Sequence, residues 1–113
     1  MLKKSQRLAK KDIERFFAGR FKNYKLNNIL LRVARNESGA PKFAFIVSSS
    51  IKRNAVARNL LRRRMSEISK ELSPGINKGL DLVFSFKLLQ KKAVPFKQLK
   101  DDMIKLLSLC GAL

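Results

Sequence analysis

The distribution of apolar residues predicts an α+β fold: one two-layer domain with helices on a mostly antiparallel four-stranded sheet. Three observations lead there. Short stretches at 26–34, 42–48 and 80–86 are rich in Leu, Ile, Val and Phe, as strands are. Stretches at 9–18, at 54–72 and from Pro95 onward repeat apolar residues at helical spacing. Turn chemistry separates these stretches, and no internal repeat, low-complexity segment or linker interrupts them. The expected order is α-β-β-α-β-α, or α-β-β-(β)-α-β-α with a further short strand near 21–25. Residues 1–113 form one domain of ordinary size, and 45% hydrophobic residues suffice for a core.

In residues 9–18, Asp12 and Glu14 occupy the early turns and Ile13 and Phe17 lie four apart, giving one apolar stripe. Gly19 stops this helix. Between the strands at 26–34 and 42–48, Asn36-Glu37-Ser38-Gly39-Ala40-Pro41 is turn chemistry, so an antiparallel hairpin is expected. In 42–48, Phe43, Phe45 and Val47 face one side and Ala44 and Ile46 the other, which predicts a central strand covered on both faces. Asn54 suits the N-cap of the 54–72 helix, and Ser73-Pro74-Gly75 ends it. Leu80, Leu82, Phe84 and Phe86 alternate in 80–86. After Pro95, residues Phe96, Leu99, Met103, Leu106 and Cys110 follow one helical stripe.

The charge narrows the function. Lys and Arg number 26 against 8 Asp and Glu, a formal net charge of +18. Self-repulsion of that size opposes folding, so a polyanionic partner explains it best, and nucleic acid comes first. No apolar run approaches the roughly 20 residues that span a bilayer, and Met1 to Ser5 lack the apolar core of a signal peptide. With Cys110 as the single cysteine, an internal disulfide is excluded. A cytoplasmic, membrane-free protein is expected, with Cys110 packed as a small apolar residue.

The basic charge concentrates at Arg58-Asn59-Leu60-Leu61-Arg62-Arg63-Arg64. At about 100° per residue, Arg58, Asn59, Arg62, Arg63, Ser66 and Lys70 share one arc of the helix. Ala57, Leu61, Met65, Ile68 and Leu72 fall on the opposite side, and Arg64 flanks that dry side. Guanidinium groups give two parallel bonds to phosphate and stay charged, so this arc together with Lys52 and Arg53 is the candidate RNA-binding surface. A solvated charged face is the plainer alternative. Arginine in excess of lysine, and the lack of acids before Glu67, favour the ligand. Phe16, Phe17, Phe21 and Tyr24 accompany Arg15, Arg20, Lys22 and Lys25; such rings either stack unpaired bases or fill the core.

An active site has few materials. Histidine is absent, no glycine-rich phosphate loop occurs, and Asp101 and Asp102 diverge on a helix. No catalytic residue and no protein metal site is assigned.

The stretch Ala55-Val56-Ala57-Arg58-Asn59-Leu60-Leu61-Arg62-Arg63 resembles the signature of the bacterial ribonuclease P protein component, Ala-Val-x-Arg-Asn-x-x-Lys/Arg-Arg-x-x-Arg. The basic stretch from Lys4 to Leu8, the strand ending in Val47-Ser48, the length and the element order are also similar. The resemblance implies a ribosomal protein S5 domain 2-like fold with a left-handed β-α-β crossover, against the usual handedness. It implies an RNA subunit that cleaves precursor tRNA with Mg²⁺ to leave the mature 5′ end, and a monomeric protein that binds this catalytic RNA. Arg58, Asn59, Arg62 and Arg63 would contact RNA, and Ile13, Phe17 and Arg32 would line a cleft for the 5′ leader. Three positions depart from the family: Ser66 stands for the last motif arginine, with Lys70 one turn on; Ser48-Ser49-Ser50 replaces Ser-Lys-Lys; and Ile13 stands for the first cleft aromatic. The alternative reading is a ribosomal or other structural RNA-binding protein.

Overall fold

A computed structural model describes residues 2–36, 39–49, 55–88 and 94–113. After a 3-10 turn at Lys4–Gln6, the chain forms α1 (Lys10–Ala18), β1 (Lys22–Leu26), β2 (Ile29–Arg35) and β3 (Lys42–Ser49). Then follow α2 (Ala55–Leu72), β4 (Leu80–Leu88) and α3 (Phe96–Leu109). The four strands make one mixed sheet in the order β1-β2-β4-β3. β1 and β2, and β2 and β4, are antiparallel; β3 and β4 are parallel, joined through α2. The α+β class, the single domain and the helix positions agree with the sequence. So does the short extra strand, which is β1.

Three expectations are corrected. The stretch 26–34 is not one strand: Asn27 adopts a left-handed φ of 53°, and the chain reverses between the paired Leu26 and Ile29. Asn tolerates that region better than most residues, which is why a two-residue hairpin turn fits there. Second, β2 and β3 are not a hairpin, because β4 lies between them and pairs with both. Turn residues at 36–41 mark a reversal but do not reveal whether it spans one strand spacing or two, about 5 or 10 Å. Third, β3 is at the sheet's edge and β4 is central. The residues that demand cover on both faces are Leu82, Val83 and Phe84, all fully buried.

One face of the sheet is closed. Ile29 and Leu31 of β2, Phe43 and Val47 of β3, and Leu82, Phe84, Phe86 and Leu88 of β4 point into the main core. Leu61, Met65 and Ile68 of α2 and Leu99, Met103, Leu106 and Leu107 of α3 cover them. These are the dry sides expected for both helices. Lys100 of α3 bonds Glu71 of α2 at 2.8 Å across that layer, so Glu71 does not pair with a cation of its own helix. Cys110 caps α3, half-buried against the core.

The other face is only partly closed. α1 is started by the Ala9 N–H donating to the Asp12 carboxylate at 3.0 Å, and it ends at Gly19. Its Phe16 joins Leu8, Ala44 and Val83 in a small second cluster, with Ile13, Phe21 and Ala34 at its margin. The expected Ile13–Phe17 stripe is thus displaced: Phe16 is the anchor, and Phe17 stays 40% exposed. The Leu8 N–H donates to the Phe43 carbonyl at 2.9 Å, so the N-terminal segment covers part of the β3 edge.

Candidate nucleic-acid interface

α2 presents its basic arc away from the main core. Asn59, Arg62, Arg63 and Lys70 are exposed, and Arg58 and Ser66 are half-buried. Arg62 donates to the Asn59 side-chain oxygen, which ties these two neighbours on the arc together. Arg58 and Arg63 have no ion-pair or hydrogen-bond partner among the described residues. Arg64 behaves as its flanking position suggests. Half-buried, its Nη1 donates to the Val94 carbonyl at 2.9 Å, so it braces α2 against the start of α3. Lys52, Arg53 and the expected N-cap Asn54 lie outside the described residues.

A second surface forms where α1 stops short of covering the sheet. Strand alternation puts Leu30 and Arg32 of β2, Ser85 of β4 and Ile46 of β3 on this side. Leu30, Ser85 and Ile46 stand in one row across three strands, beyond the cover of Phe16, and Ile46 is 38% exposed. The Arg32 guanidinium lies 5.2 Å from the centre of the Phe17 ring and donates to the Ser85 hydroxyl at 3.0 Å. A ring and a hydroxyl thus hold this cation in place, while most of its five N–H donors remain for a ligand. Phe17 in turn meets Phe16 and Phe21 edge-on, at 5.4 and 5.7 Å between centres. Its orientation is fixed although its outer side is open.

These positions answer the question left open for the aromatics. Phe16 is core, Phe21 stacks on Phe16 at 5.1 Å, and Tyr24 packs against the main core. Phe17 alone of the four is an exposed ring. Ile13, one turn before it, is half-buried at the margin of the α1 cluster. Phe17 and Arg32 therefore meet on the open side of the sheet, with Ile13 one turn before Phe17 at the margin of the α1 cluster, and Arg58, Asn59, Arg62 and Arg63 share one helix face. Ser85 and Ile46 complete the cleft and were not foreseen. Ser85 could have been noticed as the one polar residue within Leu82-Val83-Phe84-Ser85-Phe86, since a hydroxyl in such a run marks a less covered face.

The cleft is chemically suited to an unpaired polynucleotide strand: a flat apolar floor, an exposed ring and a positioned guanidinium. Its floor has one acidic strand residue, Asp81, which lies at the covered end and accepts from Asn36 at 2.7 Å. Among the described residues, no group of three or more His, Cys, Asp or Glu is placed to hold a metal ion. No helix among the described residues is long and apolar enough to cross a membrane.

Fold and surfaces together define a small basic α+β domain with an exposed basic helix face and, apart from it, an open sheet face that carries Arg32. Residues 2–111 match the Ribonuclease P family. Over 79 residues, 70% of this chain, the sequence is 35% identical to the ribonuclease P protein component of Chloroflexus aurantiacus; the match spans 58% of that protein. The fold is similar to the RNase P protein of Staphylococcus aureus, with a TM-score of 0.77 and 19% identity, covering 100% of this chain and 95% of that one. It is also similar to the RNase P protein of Thermotoga maritima, with a TM-score of 0.69 and 22% identity, covering 87% and 90% of the two chains. At those identities the structures bear on the fold alone. The chain belongs to the Ribonuclease P family.

Proposed function

We propose that this protein is the protein subunit of a ribonuclease P ribonucleoprotein. It binds the catalytic RNA and the 5′ leader of precursor tRNA, and it assists endonucleolytic removal of the leader. Hydrolysis belongs to the RNA subunit with Mg²⁺ bound chiefly through that RNA, and the protein is a cytoplasmic monomer outside the complex. Residues 1–113 act as one RNA-binding domain. The α2 arc, with Lys52 and Arg53 before it, is assigned to the catalytic RNA. The cleft of Ile13, Phe17 and Arg32 is assigned to the leader.

The observation that carries this reading is the Arg32 guanidinium held between the Phe17 ring and the Ser85 hydroxyl on an open sheet face. Arg32 keeps donors, and Phe17 an open side, where an unpaired strand could bind. Family membership adds support, and so does the separation of the two regions: one basic helix for a structured RNA, one apolar cleft for an unpaired strand. Lys70 stands one turn beyond Ser66 on the same arc, so it extends the cation row where the family signature has arginine.

The protein acts here by position and charge, with no proton transfer assigned to its side chains. Arginine contacts neutralise phosphates and release counterions, which favours assembly. A leader seated in the cleft adds binding energy remote from the scissile bond and orients the substrate. Purified protein added to the cognate ribozyme RNA and a precursor tRNA should increase 5′ cleavage at low Mg²⁺. Equal rates with RNA alone would overturn the reading, and cleavage by protein alone would replace it with a protein nuclease.

A further inference from the structure

A third basic surface lies at the end of the sheet away from the start of α2. β3 runs from Lys42 to Ser49 towards α2, so the opposite end holds Lys22 of β1, Arg35 of β2 and Leu80 of β4. There the C-terminal end of α3 leaves a groove of about 870 Å³. Tyr24, Val33 and Leu80 lie in its lining, together with Arg20, Lys22, Arg35 and Lys78. Strand alternation places Lys22, Tyr24, Val33 and Leu80 on the helix-covered face, opposite to the Arg32 cleft.

The groove is framed by fixed backbone. The Asn36 N–H donates to the Gly79 carbonyl at 2.8 Å, with Gly79 at a φ of 79°. A Cβ there would meet the Asn36 carbonyl at 3.3 Å, so the close approach of the two loops depends on glycine. Asn77 binds the chain end twice: its N–H reaches the Ala112 carbonyl at 2.9 Å and its amide the Gly111 carbonyl at 2.7 Å. Yet the four cations around this frame have no ion-pair or hydrogen-bond partner among the described residues. The nearby acids Asp12 and Asp81 accept from the Ala9 N–H and from Asn36 instead. Arg20 and Arg35 also border a pocket with the carboxylates of Asp12 and Asp81, but among the described residues no acid lines the groove itself, so its cations repel one another, which disfavours folding in the absence of a partner.

We infer that this groove is a further seat for the phosphate backbone of the catalytic RNA, at the end of the sheet away from the Arg58 end of the α2 arc. The inference rests on the proposed subunit role. The catalytic RNA is the better occupant than the precursor, because a leader seated beside Arg32 lies on the other face of the sheet. Cations around an apolar, aromatic floor suit a sugar–phosphate strand better than an acidic peptide, whose carboxylates would need ordered pairing partners.

The chain's single cysteine gives a direct readout, since Cys110 lines the same groove. Binding of the catalytic RNA to the wild-type protein, to Lys22→Gln/Lys78→Gln and to Arg58→Ala/Arg62→Ala is measured against salt, and Cys110 alkylation is timed with and without RNA. The groove double variant should flatten the salt slope by about 0.7–0.9 per lost contact, and the catalytic RNA should slow alkylation several-fold. An unchanged slope with unprotected Cys110, while the wild type binds and the α2 variant is weakened, overturns the groove and leaves the subunit role standing. Protection by precursor tRNA alone overturns the choice of RNA. A wild-type protein that does not bind the catalytic RNA removes the subunit role itself.

Discussion

The two faces of the sheet are built from the same strands and end differently. One is closed by α2 and α3 over Leu31, Phe43, Leu82 and Phe84. The other is covered by α1 and the residues flanking it, Leu8 and Phe21, over Ala44 and Val83, and is left open at Arg32, Ser85 and Ile46. A closed face buys stability through apolar area removed from water. A half-open face forgoes some of it and keeps a flat surface with a positioned cation. The contrast separates residues that specify the fold from residues free to serve a ligand, although they alternate one by one along each strand.

The largest expected effect breaks the closed face. Phe84→Ala removes a fully buried ring and should lower unfolding free energy by about 3–5 kcal/mol in urea denaturation. Ile46→Ala, on the open face, should cost under about 1.5 kcal/mol, because Ile46 is already 38% exposed. Equal losses would mean that the faces do not differ in this way.

A second pair sharpens the comparison within α1. Phe16→Ala should destabilise the fold more than Phe17→Ala, since Phe16 is 5% and Phe17 40% exposed. Phe17→Ala should instead weaken binding of a leader-bearing precursor, by about 1–3 kcal/mol if one base stacks on the ring. Next come the α2 arginines, which lie in neither face. Arg58→Ala or Arg62→Ala should leave stability within about 0.5 kcal/mol and reduce the salt slope of RNA binding by about 0.7 per phosphate contact on a single strand.

The smallest effect concerns Cys110 at the rim of the closed face. Burial pushes its thiol above the ordinary value, against smaller lowering contributions from backbone hydrogen bonds of Ala112 and Cys110; the protonated Sγ donates to the Leu107 carbonyl at 3.3 Å. The thiol therefore holds its proton to higher pH in the folded chain than in the unfolded one. It should alkylate more slowly at mildly alkaline pH than a small free thiol does. The sign for stability follows: a raised folded value favours the fold fully below the unfolded thiol's pKa, and this contribution fades as pH rises through the folded value.

Much of this arrangement was legible in the residues, and what was hidden has identifiable causes. The α2 wheel separated Leu61, Met65 and Ile68 from Arg58, Asn59, Arg62 and Arg63 because helical periodicity reports burial locally. Arg64 was placed on a flank and is found bracing Val94. Strand partners were not legible. Whether β3 pairs with β2 or β4 depends on residues some forty positions apart, and local turn chemistry carries no information about them. The core ring of α1 was missed because Phe16 and Phe17 are adjacent, so a short amphipathic stretch admits either as the anchor. Ile13, Phe17 and Arg32 were singled out by the family resemblance, not by periodicity; Ser85 needed the observed register.

The division of labour between the two regions is the central claim, and one ratio tests it. For the assembled holoenzyme, the affinity for precursor tRNA is divided by the affinity for mature tRNA, which lacks the leader. Arg32→Ala should lower this ratio several-fold while assembly with the catalytic RNA is unchanged, and Arg58→Ala should weaken assembly and preserve the ratio. A ratio untouched by Arg32→Ala, in a holoenzyme that still assembles and cleaves, would contradict the assignment of the open face to the leader.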